Sequence, residues 1–441
     1  MIRRGRVFVA WVALCLLLIV LVTPAAAQGG VLVAFVNTSG QLIVSDNTGG
    51  YRWIVTNPGE YLVDPVGYSW SPDGQALFFA VDIGGVASLR FGDVNGMNTH
   101  EVGQVSTGGL SGGSWDSSSG GVIVSADNVI RYYGVGGDVF DIVGGQAGAS
   151  VFSPYSDNRP NLPAASALSP DGRFLFYQQS DGRYAVMGLN GGGAFPLPGV
   201  NDPNTRQSGL WADGAPFVAY WGYEGNAILS VTNAENGQTV TLDSGRAAPI
   251  TPILWRPGTT QLLYRGATGY VQAADVSCLF NGCGANPLDS GVQVLPPTAG
   301  EIQTDGSFVY YQDGTTVFAL PFSCIDSTSC GTGAVIGSNA APGTLVSINN
   351  RLLAYTGYAS NPNDVNDRVA LFVALDGCQA GGCTAFTSIA GAQTGLVAPD
   401  GSTVVVDQVG VGMNAVNVFS GQSGYLSDSL GQQGLALARW G

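Results

Sequence analysis

A single turn recurs along the chain. Ser69-Trp70-Ser71-Pro72-Asp73-Gly74 precedes an apolar run at 76–81. Leu168-Ser169-Pro170-Asp171-Gly172 precedes 174–177, and Val397-Ala398-Pro399-Asp400-Gly401 precedes 403–406. Looser copies are Trp211-Ala212-Asp213-Gly214, Trp255-Arg256-Pro257-Gly258 and Gln303-Thr304-Asp305-Gly306; degenerate ones lie at Trp115-Asp116 and at 347–350. Anchors at 70, 115, 168, 211, 255, 303, 347 and 397 are 43 to 53 residues apart. In each turn proline presets φ, aspartate bonds its own backbone and glycine takes the left-handed position. The result is a tight link between two antiparallel strands. Repetition at this period means stacked like units, each too small to bury its own apolar face.

Two further strand-like runs follow most turns, at 86–91 and 101–105 in the first full unit. Four short antiparallel strands per repeat predict one large β-propeller of four-stranded blades. The 66 glycines fit short strands and tight turns better than helices. Residues 31–37, 41–45 and 51–56 read as three strands lacking an inner partner. The C-terminal run 435–441 supplies it, with Trp440 at the motif-tryptophan position. Pairing the two ends closes the ring and protects its edges. The count is then nine blades, with eight as the alternative.

The turns Trp70–Gly74, 169–172 and 398–401 resemble the TolB-type propeller repeat, a WD-repeat-like family. The resemblance covers 31–441 as a series of repeats and implies the propeller fold. TolB's N-terminal α/β domain has no counterpart here, so its translocation role does not carry over. Prolyl-oligopeptidase-like enzymes have similar propellers, but neither their hydrolase domain nor a Gly-x-Ser-x-Gly elbow in context follows.

Residues 1–27 read as a signal peptide: Arg3, Arg4 and Arg6, then an apolar stretch at 7–22, then Thr23-Pro24-Ala25-Ala26-Ala27. Retention as an anchor is the alternative to cleavage. The propeller domain is expected over 28–441, in a secreted or extracytoplasmic compartment such as a bacterial envelope or periplasm. Cys278/Cys283, Cys324/Cys330 and Cys378/Cys383 form three close pairs, as local disulfides in an exported chain would.

The net charge is −15, or −18 once the three N-terminal arginines are removed. Such a surface repels phosphate backbones, so nucleic acid is not an expected partner. All 16 basic residues are arginine, which removes Schiff-base and P-loop lysine chemistry. With one histidine, His100, a histidine-rich metal site is excluded, and a Ser-His-Asp triad would have to use it. Five glutamates form no recognisable pair. No catalytic residue and no cofactor is assigned.

Blade parity sorts the remaining features. Motif turns and cysteine pairs share one face. The other carries carboxylates after the second strands: Asp46, Asp82, Asp127, Asp181, Glu224, Asp313 and Asp407. In a longer loop, Asn363, Asp364 and Asp367 are candidate calcium ligands. That face also holds the long connections 146–167, with Tyr155 and Arg159, and 198–208, with Asp202 and Arg206. Trp221 and Tyr223 are expected as exposed aromatics nearby. These six residues form the candidate binding face, since function concentrates on loops held by rigid scaffolds. The expected role is a monomeric, non-enzymatic binding module for an extracytoplasmic protein, peptide or glycan, not stably inserted in a membrane. The alternative is a carbohydrate-active hydrolase or lyase using paired carboxylates near the channel.

Overall fold

The computed structural model describes residues 31–63, 67–144, 165–190, 192–200, 209–245, 250–283, 291–325, 331–341, 346–349, 352–361, 364–375, 387–430 and 438–440. It is a nine-bladed β-propeller of small antiparallel sheets. Blade 1 combines Leu32–Val36, Leu42–Asp46 and Arg52–Ile54 with the C-terminal strand Arg439–Trp440. Blades 2 to 9 span 68–106, 110–143, 165–200, 209–245, 251–295, 299–337, 346–390 and 392–427. The closure expected from the sequence is present: Val33 faces Trp440 and Ala34 faces Arg439. Nine, not eight, is the blade count.

Strand chemistry explains the layering. Second strands such as Ala76–Asp82 (ALFFAVD) and Phe217–Tyr223 (FVAYWGY) are buried along nearly their whole length. A strand covered by a neighbouring blade on both faces needs apolar residues at every position, not at alternate ones. Fourth strands are exposed, as in Arg52–Ile54 and Val139–Val143, so they form the rim. The core consists of separate clusters between adjacent blades.

Three blades depart from the four-strand plan, in two ways. Blade 2 gains Tyr61–Leu62, which pairs with Ala76–Asp82 beyond the first strand Tyr68–Trp70. Blades 4 and 5 merge into one sheet, because Ala165–Ser166 pairs with Gly209–Trp211 and Val200 bridges Tyr223. In both cases backbone groups of a connection join the adjacent sheet.

The motif turns form as expected. Gly74, Gly172 and Gly401 have φ of 68°, 68° and 64°. In the degenerate copy, Ser119 takes this position at φ 61°, and its N–H still bonds the Asp116 carbonyl. Neighbouring turns touch one another: Ser119 Oγ accepts from the Asp73 N–H. A Cβ on Gly306 would meet the Pro257 ring at 3.7 Å.

Candidate functional site

The motif aspartates serve their own turns. Asp73 Oδ1 accepts from Ser71 Oγ at 2.7 Å and from the Gln75 N–H at 3.0 Å. These bonds hold its carboxyl below the usual aspartate range. Asp171 and Asp400 are lowered too. Partial burial opposes the shift in both, and it is outweighed by Ser169 and Arg173 at Asp171 and by Ser402 and Thr403 at Asp400. Pro72, Pro170 and Pro399 complete these turns.

The motif tryptophans have a role that the repeat alone did not reveal. Trp115 Nε1 donates to the Ser69 carbonyl in blade 2 at 3.3 Å, and Trp255 Nε1 to the Leu210 carbonyl in blade 5 at 2.9 Å. Trp440 Nε1 donates to the Leu396 carbonyl in blade 9 at 2.9 Å. In each case the indole reaches the preceding blade. The acceptor is the residue just before that blade's own tryptophan position, and the bond at Trp440 lies across the ring seam.

The first strands carry only two charged residues among those described, Glu301 and Arg439. A glycosidase needs two carboxylates across its bond. Among the described residues the inner strands do not provide such a pair. His100 is exposed at a strand start, with its ring 6.1 Å from that of Phe91.

On the opposite face the carboxylates mostly bond to nearby backbone. Asp46 accepts from the Thr48 N–H, Asp82 from Gly85, Asp127 from Ser106 and Asp181 from Arg183. Asp407, nearly buried, accepts from Ser429 Oγ and the Leu430 N–H. Burial, with the charge of Asp313 as the smaller cause, pushes the Tyr311 hydroxyl up to about 12. Blade 6 places Arg265 at this position, where it donates to the carbonyls of Gly269, Pro297 and Ala299. Asp364 caps the Asn366 N–H at 2.9 Å, and Asp367 accepts from the N–H groups of Ser360 and Asn361. Asn363 lies outside the described residues. Among those described, no three His, Cys, Asp or Glu side chains gather as metal ligands.

Of the candidate binding face, Tyr155, Arg159, Asp202 and Arg206 lie outside the described residues. Trp221 is a correction. It is not an exposed aromatic: at 9% exposure it packs in the core with Leu229, Trp255 and Tyr264. It sits mid-strand and the next blade covers it. Tyr223, two residues on, is 41% exposed, and its ring meets Trp221 edge-on at 6.0 Å. The structure ties the start of the 198–208 connection to this hairpin. Val200 bridges Tyr223, and Glu224 Oε1 accepts from the Gly199 N–H at 3.1 Å.

Cys278 and Cys283 form a disulfide on the opposite side of the blades, just after the third strand Val271–Asp275. Cys324, after Thr316–Pro321, is also disulfide-bonded. Cys330, Cys378 and Cys383 lie outside the described residues. Among the described residues no helix is long and apolar enough to cross a membrane.

No family model matches the chain, and no curated protein matches its sequence. Solved structures match the chain at low identity. TolB from Acinetobacter baumannii is 10% identical with a TM-score of 0.34, over 67% of this chain and 62% of that one. The tricorn protease is 10% identical with a TM-score of 0.34, over 88% of this chain and 42% of that one. The C-terminal WD40 domain of Sif2 is 10% identical with a TM-score of 0.45, over 80% of this chain and 95% of that one. The chain thus spans less than two thirds of the length of the first two.

Proposed function

We propose that this chain is an exported, non-enzymatic TolB-type binding propeller, acting as a monomer outside the cytoplasm on a protein, peptide or glycan partner. Residues 1–27 serve as the export signal in this reading, and 28–441 as the working domain. The observation that carries it is the anchored edge between blades 4 and 5. The Val200–Tyr223 bridge and the Gly199–Glu224 bond hold the root of a long connection beside an exposed tyrosine on a rigid ring. Such a loop root loses little entropy on binding. Among the described residues the inner strands carry no charged residue besides Glu301 and Arg439, which favours binding over paired-carboxylate hydrolysis.

The test is a glycan-array and envelope-protein screen on 28–441, with and without calcium, repeated with Tyr223→Ala. Saturable binding that weakens at least tenfold in the variant supports the reading. Absence of binding throughout, or hydrolysis of an arrayed glycan, overturns it.

A further inference from the structure

The wedge between neighbouring blades is filled unevenly around the ring. Between blades 2 and 3 it holds Phe78, Phe91, Trp115 and Tyr133, and between blades 4 and 5 Phe176, Tyr184, Trp211 and Tyr220. Between blades 8 and 9 the buried set holds one ring, Phe372, among residues such as Ala354, Ala370, Val404 and Val406. Short side chains can close a wedge near the inner strands, but not at the rim, where the blades diverge. A cleft of about 290 Å³ opens there.

Its shape and lining specify an occupant. The cleft is lined from Val411, at one end of the strand Gly412–Asn417, to Gly421 beyond the other. Six strand residues span roughly 20 Å, the length of an extended chain of similar size. Ile389, Val406 and Val416 give it aliphatic walls. None of the lining residues is charged, on a chain of net charge −15. A charged segment would lose hydration there without gaining a partner. Asn414 and Gln408 donate their amide N–H groups to the carbonyls of Gly412 and Ala390, at 2.9 and 3.1 Å. Their amide oxygens are left to accept from a donor in the cleft. Peptide N–H groups supply such donors, and aliphatic side chains suit the walls. Sugar rings favour flat, exposed aromatic surfaces, and the one ring in this lining, Phe372, is fully buried.

We propose that the cleft between blades 8 and 9 binds an extended, uncharged peptide segment of about six residues with aliphatic side chains, lying along Gly412–Asn417. The site is separate from the Tyr223 edge, so either can fail alone.

The probe is the neutral peptide acetyl-Ser-Leu-Val-Ile-Leu-Ser-amide, titrated into methyl-labelled 28–441 and followed by NMR. The expected result is saturable shifts at the methyls of Ile389, Val406 and Val416. Val416→Trp, which fills the cleft, should weaken binding at least tenfold, and Tyr223→Ala should leave it unchanged. A peptide with a central aspartate should bind at least tenfold more weakly. Should Val416→Trp fail to fold, Val411→Glu at the exposed rim reports the same loss. The proposal is overturned by the absence of saturable shifts at these methyls, by binding that survives the cleft variants, or by maltohexaose occupying the cleft in place of the peptide.

Discussion

Trp440→Phe isolates the bond that closes the ring. The variant keeps an aromatic ring against Val33, Phe35 and Leu426 but removes the N–H that reaches the Leu396 carbonyl at 2.9 Å. A net hydrogen bond contributes about 0.5–1.5 kcal/mol, and a buried carbonyl left without a donor costs about 1–3 kcal/mol. Leu396 is buried, so the expected loss is about 1–2 kcal/mol. Melting temperature would report this poorly. With an unfolding entropy of about 2.1 cal/mol/K per residue, over about 400 residues, the shift is only about 1–2 °C. Native-state hydrogen exchange resolves it locally. Opening the seam exposes the strand Leu32–Val36, so exchange at 33–35 should accelerate about 5–30-fold, while amides of Ala227–Asn233 in blade 5 stay unchanged. Trp115→Phe, which removes the matching bond to Ser69 within the continuous chain, should accelerate exchange in blades 2 and 3 instead. Unchanged exchange at the seam, or uniform acceleration in every blade, would refute the idea that Trp440 latches the ring at this point.

Other expectations follow from the same geometry. Replacing Cys278 and Cys283 by serine should lower stability by roughly 2 kcal/mol on the chain-entropy model, read as a urea midpoint that no longer responds to reductant at that loop. Gly424→Ala should be strongly destabilising, because its Cβ would overlap the Thr48 backbone, whereas Gly136→Ala meets nothing within 4 Å and should be neutral in the same denaturation assay. Asp73, Asp171 and Asp400 have lowered folded pKa values, so their contribution is present above the unfolded value near 3.9 and is lost as pH falls through the folded value. The urea midpoint should therefore drop steeply below about pH 4, and Asp73→Asn should flatten that slope; a midpoint independent of pH from 6 to 3 contradicts the assignment.

The turn motif, its period and the position of Trp440 sufficed to anticipate a propeller closed by its own ends, with nine blades favoured over eight; the tertiary structure decided the count. They are legible in sequence because turn chemistry is local: the conformations of Pro72, Asp73 and Gly74 depend on a few adjacent atoms, and copies of those atoms recur down the chain. The same locality let the cysteine spacing anticipate the Cys278–Cys283 bridge. Burial is not local. Trp221 reads as an exposed hairpin aromatic until the neighbouring blade is placed against it, and Tyr223, two positions along the same strand, stays outside. The indole latches join residues 44 to 46 positions apart. They exist because the ring brings each tryptophan beside the preceding blade, which no single repeat specifies. The cleft between blades 8 and 9 is a further step from sequence. It is a shortage of side-chain volume, and volume can be judged missing only once both walls are in place.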